Sequence, residues 1–125
     1  MGAKYGYDRV EKLMKRGDIV LCNLSGDYGK TRPAIIIQSD LFNPTHSSII
    51  ICPITSSLVD APLFRLEINP SKKNGLLKSS QIMVDKMMVI KKDKVCKKIG
   101  TISLREQQHL ENAIRIWLSL DGSIS

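Results

Sequence analysis

Arg32, Thr55 and Asp85 are the side chains of this sequence whose types and settings suit chemistry on an anion. Arg32 stands directly before Pro33 and an apolar run in TRPAIIIQSD (31–40). Thr55 closes the apolar run IICPIT and is followed by Ser56 and Ser57. Asp85 interrupts the apolar stretch SSQIMVDKMMVIK (79–91). An arginine holds a phosphate through two hydrogen bonds and stabilises charge building on a pentacoordinate phosphorus. A threonine hydroxyl donates to a phosphate oxygen, and a carboxylate accepts a proton from a ribose 2′-hydroxyl. Together they suit RNA cleavage by internal transfer, in which the nucleophile lies within the substrate and neither metal nor cofactor is called for. Each residue also has an ordinary alternative: Arg32 as a solvated strand end, Thr55 as a turn residue, Asp85 as a carboxylate paired on the surface beside Lys86. His46, in a turn, and His109, in a helix, read as solvent-exposed and not as an acid–base pair.

These residues need elements to carry them. Residues 8–15 are a short amphipathic piece opened by Asp8 and stopped by Gly17-Asp18. IVLCNL (19–24) reads as a buried strand, and SGDYGKTR (25–32) as a loop. Pro33 biases Arg32 toward extended geometry, so AIII (34–37) becomes a second strand with Arg32 at its mouth. Residues 49–55 form a third strand, expected to break at Pro53. LFRLEI (63–68) alternates, with Phe64, Leu66 and Ile68 on one side, as in a half-buried antiparallel strand. NPSKKNG is a turn. The stretch 79–91 is β-leaning, KKDKVCKK (91–98) is a strongly basic run, and IGTI (99–102) closes the set. Ser103 and Glu106 form a capping box ahead of Leu110, Ala113, Ile114 and Trp117 at helical spacing, and Asp121-Gly122 ends that helix. The expected architecture is mainly β (α+β): a small, strongly bent antiparallel sheet or barrel with a C-terminal helix and short additional helices. Residues 1–15 form an N-terminal extension, and 16–125 a single domain.

The bulk numbers agree with a single-domain globular protein: 125 residues, 42% apolar and 25% charged. Nineteen Lys and Arg against twelve Asp and Glu give a formal charge of +7, which favours an anionic partner such as nucleic acid. Three widely spaced cysteines suit neither a zinc site nor a disulfide framework, and Cys22 and Cys52 read as small buried hydrophobes. No run approaches the roughly 18 apolar residues of a membrane span. The first sixteen residues lack the apolar core of a secretory signal, so the expectation is a cytoplasmic protein without membrane association.

The ordered segments KRGDIVLCNL, TRPAIIIQSDLFN, IICPITSS, IMVDKMMVIKKDKV and IGTIS resemble the MazF/PemK family of toxin ribonucleases over about residues 15–118. The resemblance implies an SH3-like barrel forming a homodimer. It implies a toxin of a toxin–antitoxin system that cleaves single-stranded RNA at short sequences without a metal, leaving a 2′,3′-cyclic phosphate and a 5′-hydroxyl. The family's functional arginine and threonine fall on Arg32 and Thr55, and an aspartate used by some members matches Asp85. The chain departs from the pattern at Lys86, where glutamine is usual, at Met88, where a basic residue is common, and at Asp27, where glutamate is frequent. Candidate RNA contacts are Asp27, Tyr28 and Lys30 in the loop, Ser56 and Ser57, Arg65, and Lys86. The loop 25–31, with Gly26 and Gly29, is placed to cover a substrate, with Tyr28 stacking on a base. An acidic antitoxin that covers the RNA groove is the implied partner, with lysines 91, 92, 94, 97 and 98 as candidates for its electrostatic capture. Two other functions stand beside this one: a gyrase poison of the CcdB type, which shares the fold, and a non-catalytic RNA-binding barrel.

Overall fold

The computed structural model describes residues 14–24 and 30–120. Within them run seven strands, β1 (Asp18–Asn23), β2 (Thr31–Ile36), β3 (Ser48–Thr55), β4 (Arg65–Ile68), β5 (Ser80–Met83), β6 (Met88–Lys91) and β7 (Val95–Thr101), followed by helix α1 (Leu104–Leu118). Single 3₁₀ turns at Val84–Lys86 and Lys92–Lys94 separate β5, β6 and β7. The ladder is antiparallel throughout, in the order β4-β5-β3-β2-β1-β7, with β6 on β3 beside β5. This is the mainly β architecture with a C-terminal helix that the patterning predicts.

The ladder does not close between β4 and β7. The gap is filled by the segment after β4, whose backbone lies directly against β7. A Cβ at Gly75 would overlap the Ile99 carbonyl oxygen, and one at Gly100 would overlap the backbone of Lys73 and Asn74. The Thr101 N–H donates to the Lys73 carbonyl at 2.9 Å across this seam. Gly75 also has φ of +70°, a conformation that glycine enters without steric cost.

The apolar runs are continuous because the central strands are buried on both faces. Ile19, Ile35, Cys52 and Ile54 pack with Ile82, Val84, Leu110 and Ala113 on the helix side. Val20, Cys22, Ala34, Ile36, Ile49 and Ile51 pack with Ile90, Val95 and Met14 on the other. Burying each of the isoleucine, leucine, valine and methionine side chains among them contributes roughly 1.5–3 kcal/mol. Met14, from the expected extension, is therefore part of the core; residues 1–13 lie outside the described residues. The Arg16-Gly17-Asp18 opening is structural. Arg16 donates to the Ile37 carbonyl and pairs with Glu111 of α1 at 2.8 Å. Gly17 has φ of +92°. The buried Asp18 accepts from the Lys15 N–H and pairs with Lys98.

Three expectations change. β3 runs through Pro53 unbroken. The Ile37 N–H donates to the Ile50 carbonyl, so the alternation of an antiparallel ladder turns the Pro53 nitrogen away from β2. On that far side β3 passes from β6, last paired at Ile51, to β5, first paired at Ile54, and a missing donor costs no ladder bond there. The stretch 79–91 is two strands, because the turn at Val84–Lys86 moves the chain from β5 to β6 on the same strand β3. The basic run 91–98 is partly strand, and Lys92 is fully buried. The Lys92 ammonium donates to the Asn43 carbonyl, so this lysine is not a surface cation. Helix α1 has the expected capping box, with Ser103 and Glu106 bonded reciprocally at 3.1 and 2.8 Å. It ends at Leu118, with Ser119 in the left-handed region and the Leu120 N–H on the Arg115 carbonyl, before Asp121-Gly122, which lie outside the described residues.

Candidate active site

One proline, Pro33, opens the site. The β2–β3 ladder ends at the pair Ala34–Pro53. By the same alternation the Pro33 nitrogen faces β3, where it has no hydrogen to donate, and the two strands part beyond that pair. Arg32 and Thr55 each lie two residues past the last pair, so the register sets them across from one another at the mouth. Arg32 is held on its other side by β1, opposite Cys22, and is exposed.

The parted ends form a cavity of about 830 Å³. Arg32, Pro33, Pro53, Thr55, Ser56 and Ser57 line one side. Residues 75–78 with Ser80 line another, and apolar side chains including Leu21, Leu24, Met83 and Met88 complete it. Among the described lining residues the charged ones are Arg32 and Lys78, both cations. The Thr55 oxygen accepts from the Ser57 N–H at 3.0 Å, leaving the hydroxyl hydrogen to donate elsewhere. The segment after Ser57 is held by Gln81, opposite Thr55 on β5. Its buried amide donates to the Val59 carbonyl at 2.7 Å and accepts from the Val59 N–H at 3.1 Å.

Asp85 and Arg65 are elsewhere. Arg65 donates to both oxygens of Asp85, at 2.7 and 3.2 Å, with both side chains largely buried. The hydrogen bond from Arg65 is the main reason the Asp85 carboxyl is held below the usual carboxylate range, and the same bond raises the Arg65 guanidinium. Neither residue lines the cavity. Lys86, beside Asp85, is exposed, as is Lys30 ahead of β2. Asp27 and Tyr28 lie outside the described residues. His46 and His109 are exposed, the first in the loop between β2 and β3 and the second on α1. Burial raises the Cys22 and Cys52 thiols to about 12, so both are packing groups and not nucleophiles. Among the described residues no three His, Cys, Asp or Glu side chains gather as a metal site, and no helix is long and apolar enough to cross a membrane.

Two features escaped the sequence reading. Residues 76–78 fall between the turn NPSKKNG and the β-leaning stretch that starts at 79, yet with Gly75 and Ser80 they wall the cavity; the Asn74-Gly75 dipeptide marks the turn but not its destination. Gln38, Asp40 and Asn43 form a network that staples the loop after β2. Gln38 donates to Asn43 and to the Ser48 carbonyl, and Asp40 accepts from Asn43 and from the Arg16 N–H.

The model of the PemK-like, MazF-like toxins of type II toxin–antitoxin systems matches residues 15–118. This chain belongs to that family. A protein of Mycolicibacterium smegmatis named "Probable endoribonuclease MazF" is 34% identical over 110 residues, covering 87% of this chain and 100% of its own. An "Endoribonuclease MazF" of Staphylococcus saprophyticus is 32% identical over 113 residues, covering 86% and 93%. A solved structure, "Endoribonuclease in complex with its cognate antitoxin from Mycobacterial species", superposes with a TM-score of 0.72 at 18% identity, covering 86% of this chain and 96% of that one. As a PemK-like, MazF-like chain, the protein has Arg32 and Thr55 at the parted end of β2 and β3.

Proposed function

We propose that the chain is the toxin of a type II toxin–antitoxin pair and an endoribonuclease that cleaves single-stranded RNA at a short sequence without a metal. The observation that carries this reading is the placement of Arg32 and Thr55 opposite one another in a single cavity free of lining carboxylates among the described residues. The phosphate to be cleaved sits between them. The 2′-oxygen loses its proton and bonds to phosphorus, and the bond to the 5′-oxygen breaks as that oxygen takes up a proton. The products are a 2′,3′-cyclic phosphate and a 5′-hydroxyl. Arg32 carries the charge that grows on the non-bridging oxygens, and Thr55 donates to one of them. Ser56 and Ser57 contact the RNA beside the scissile bond. Asp85, occupied at both oxygens by Arg65, serves this reading by bracing the turn between β5 and β6; Arg65 is taken up in that pair, and the exposed Lys86 is left as the cation beside it that can contact RNA.

The same reading includes a homodimer, in which two shallow barrels make one longer basic groove, and an acidic antitoxin that covers it. The protein acts without crossing a membrane, in the cytoplasm.

The test is incubation of the purified protein with a long RNA in excess EDTA. Discrete fragments whose 5′ ends accept phosphate from a kinase without prior phosphatase treatment are expected. RNA that is bound but intact would make the protein a non-catalytic RNA-binding barrel. Intact, unbound RNA with gyrase trapped on DNA would make it a gyrase poison.

A further inference from the structure

We propose that Lys78 is a second phosphate-binding cation of this cavity and takes an RNA phosphate next to the one held by Arg32. The inference rests on the reading of the cavity as an RNA site. Lys78 and Arg32 are the charged residues among those lining the cavity, and they come from different walls of it, one from the segment after β4 and the other from the mouth of β2. The cavity, at about 830 Å³, is far larger than one phosphate requires. A strand of RNA brings its charges in a row, and two cations lining one cavity from different segments can take two of its phosphates.

The segment that carries Lys78 is built to stay in place. Asn74 is buried, accepts from the Ser71 and Leu76 N–H groups at 3.0 Å each, and donates to the Asn69 carbonyl at 2.8 Å. Gly75 and Gly100 bring the backbone into contact with β7, at distances no side chain would permit. Leu76 is buried beyond them, and Ser80 donates to the Lys78 carbonyl at 2.8 Å. Lys78 is thus an exposed side chain on a fixed backbone. A lysine holds phosphate as a point charge without the planar fork of arginine. Its contribution falls equally on bound substrate and transition state, and so on KM and not on kcat.

The experiment measures binding of a labelled, 2′-O-methylated single-stranded RNA of mixed sequence at several salt concentrations, together with initial cleavage rates on unmodified RNA. Lys78→Ala is expected to weaken binding several-fold, raise KM by a similar factor and leave kcat unchanged. It should also reduce the slope of log affinity against log salt by about 0.7, the value of one phosphate contact on a single strand. Lys78→Arg should restore most of the affinity. Lys72→Ala, an exposed lysine that does not line the cavity, is the control for overall charge. Wild-type affinity and slope in Lys78→Ala, or an equal loss in Lys72→Ala, overturns the inference while wild-type cleavage upholds the function. A wild-type protein that binds no RNA overturns both.

Discussion

Arg32 earns its place at the cavity from its neighbours: Pro33 ends the ladder beside it, and the buried Ala34, Ile35 and Ile36 anchor the strand behind it. Arg32→Ala is expected to lower the cleavage rate by about 10²-fold or more, the range for a single electrostatic donor, and Thr55→Ala by a similar or smaller factor. Thermal unfolding of both variants should stay close to wild type, since neither side chain is in the core. Cleavage by Arg32→Ala near the wild-type rate would remove Arg32 from the mechanism. Asp85 makes a different prediction, one of stability. Its folded pKa is lowered, chiefly by the hydrogen bond from Arg65, so the ion pair stabilises the native state fully above the ordinary carboxylate value, about 3.9. That stability is lost as pH falls through the lowered folded value. Asp85→Asn should therefore lower the urea midpoint at pH 7, with the gap to wild type narrowing below about pH 4. A gap that stays constant down to pH 2 would show that the charge of Asp85 is not what it contributes.

The elements act as mounts, and the seam between the 70s segment and β7 is the mount that the ladder does not supply. Gly100→Ala puts a methyl into the backbone of Lys73 and Asn74, neither of which is the yielding end of a side chain. Destabilisation by about 1–3 kcal/mol is expected, as for overpacking elsewhere, measured by urea unfolding. If the seam positions the cavity wall, the folded fraction of Gly100→Ala should also bind RNA less tightly at a temperature where the variant is fully folded. Full stability in this variant would mean that the two segments separate easily. The loop after β2 is mounted in a second way. The buried Lys92 holds the Asn43 carbonyl, and Asn43 holds Gln38 and Asp40, so a basic run that reads as solvated surface supplies an internal strut.

For the whole molecule, a net charge of +7 makes competition between RNA and an acidic antitoxin the behaviour to measure. An antitoxin segment that is acidic and folds on binding would meet its ordering cost from contacts along the groove. If RNA and that segment share the groove, titrating antitoxin peptide against labelled, uncleavable RNA should displace the RNA completely, and both affinities should fall with salt. A dimer that binds both at once, or RNA affinity insensitive to salt, would separate the two surfaces. Sedimentation in the same buffer should give a mass near twice that of the 125-residue chain if the groove is built from two copies.

Much of this protein is legible without its structure. The capping box and the helical spacing of Leu110 and Ala113 determine α1, because both signals lie within one turn of the chain. The runs of isoleucine determine strands, and Pro33 after Arg32 determines an extended arginine at a strand mouth. Periodicity of this kind tells which way a side chain faces on its own element. It does not tell which element lies alongside, since that depends on contacts between residues far apart in sequence. So only the tertiary structure decided that Arg32 sits across from Thr55, that Asp85 is taken up by Arg65, and that Lys92 is inside. It also decided that residues 75–80 wall the cavity, because two glycines on separate segments let the backbones touch.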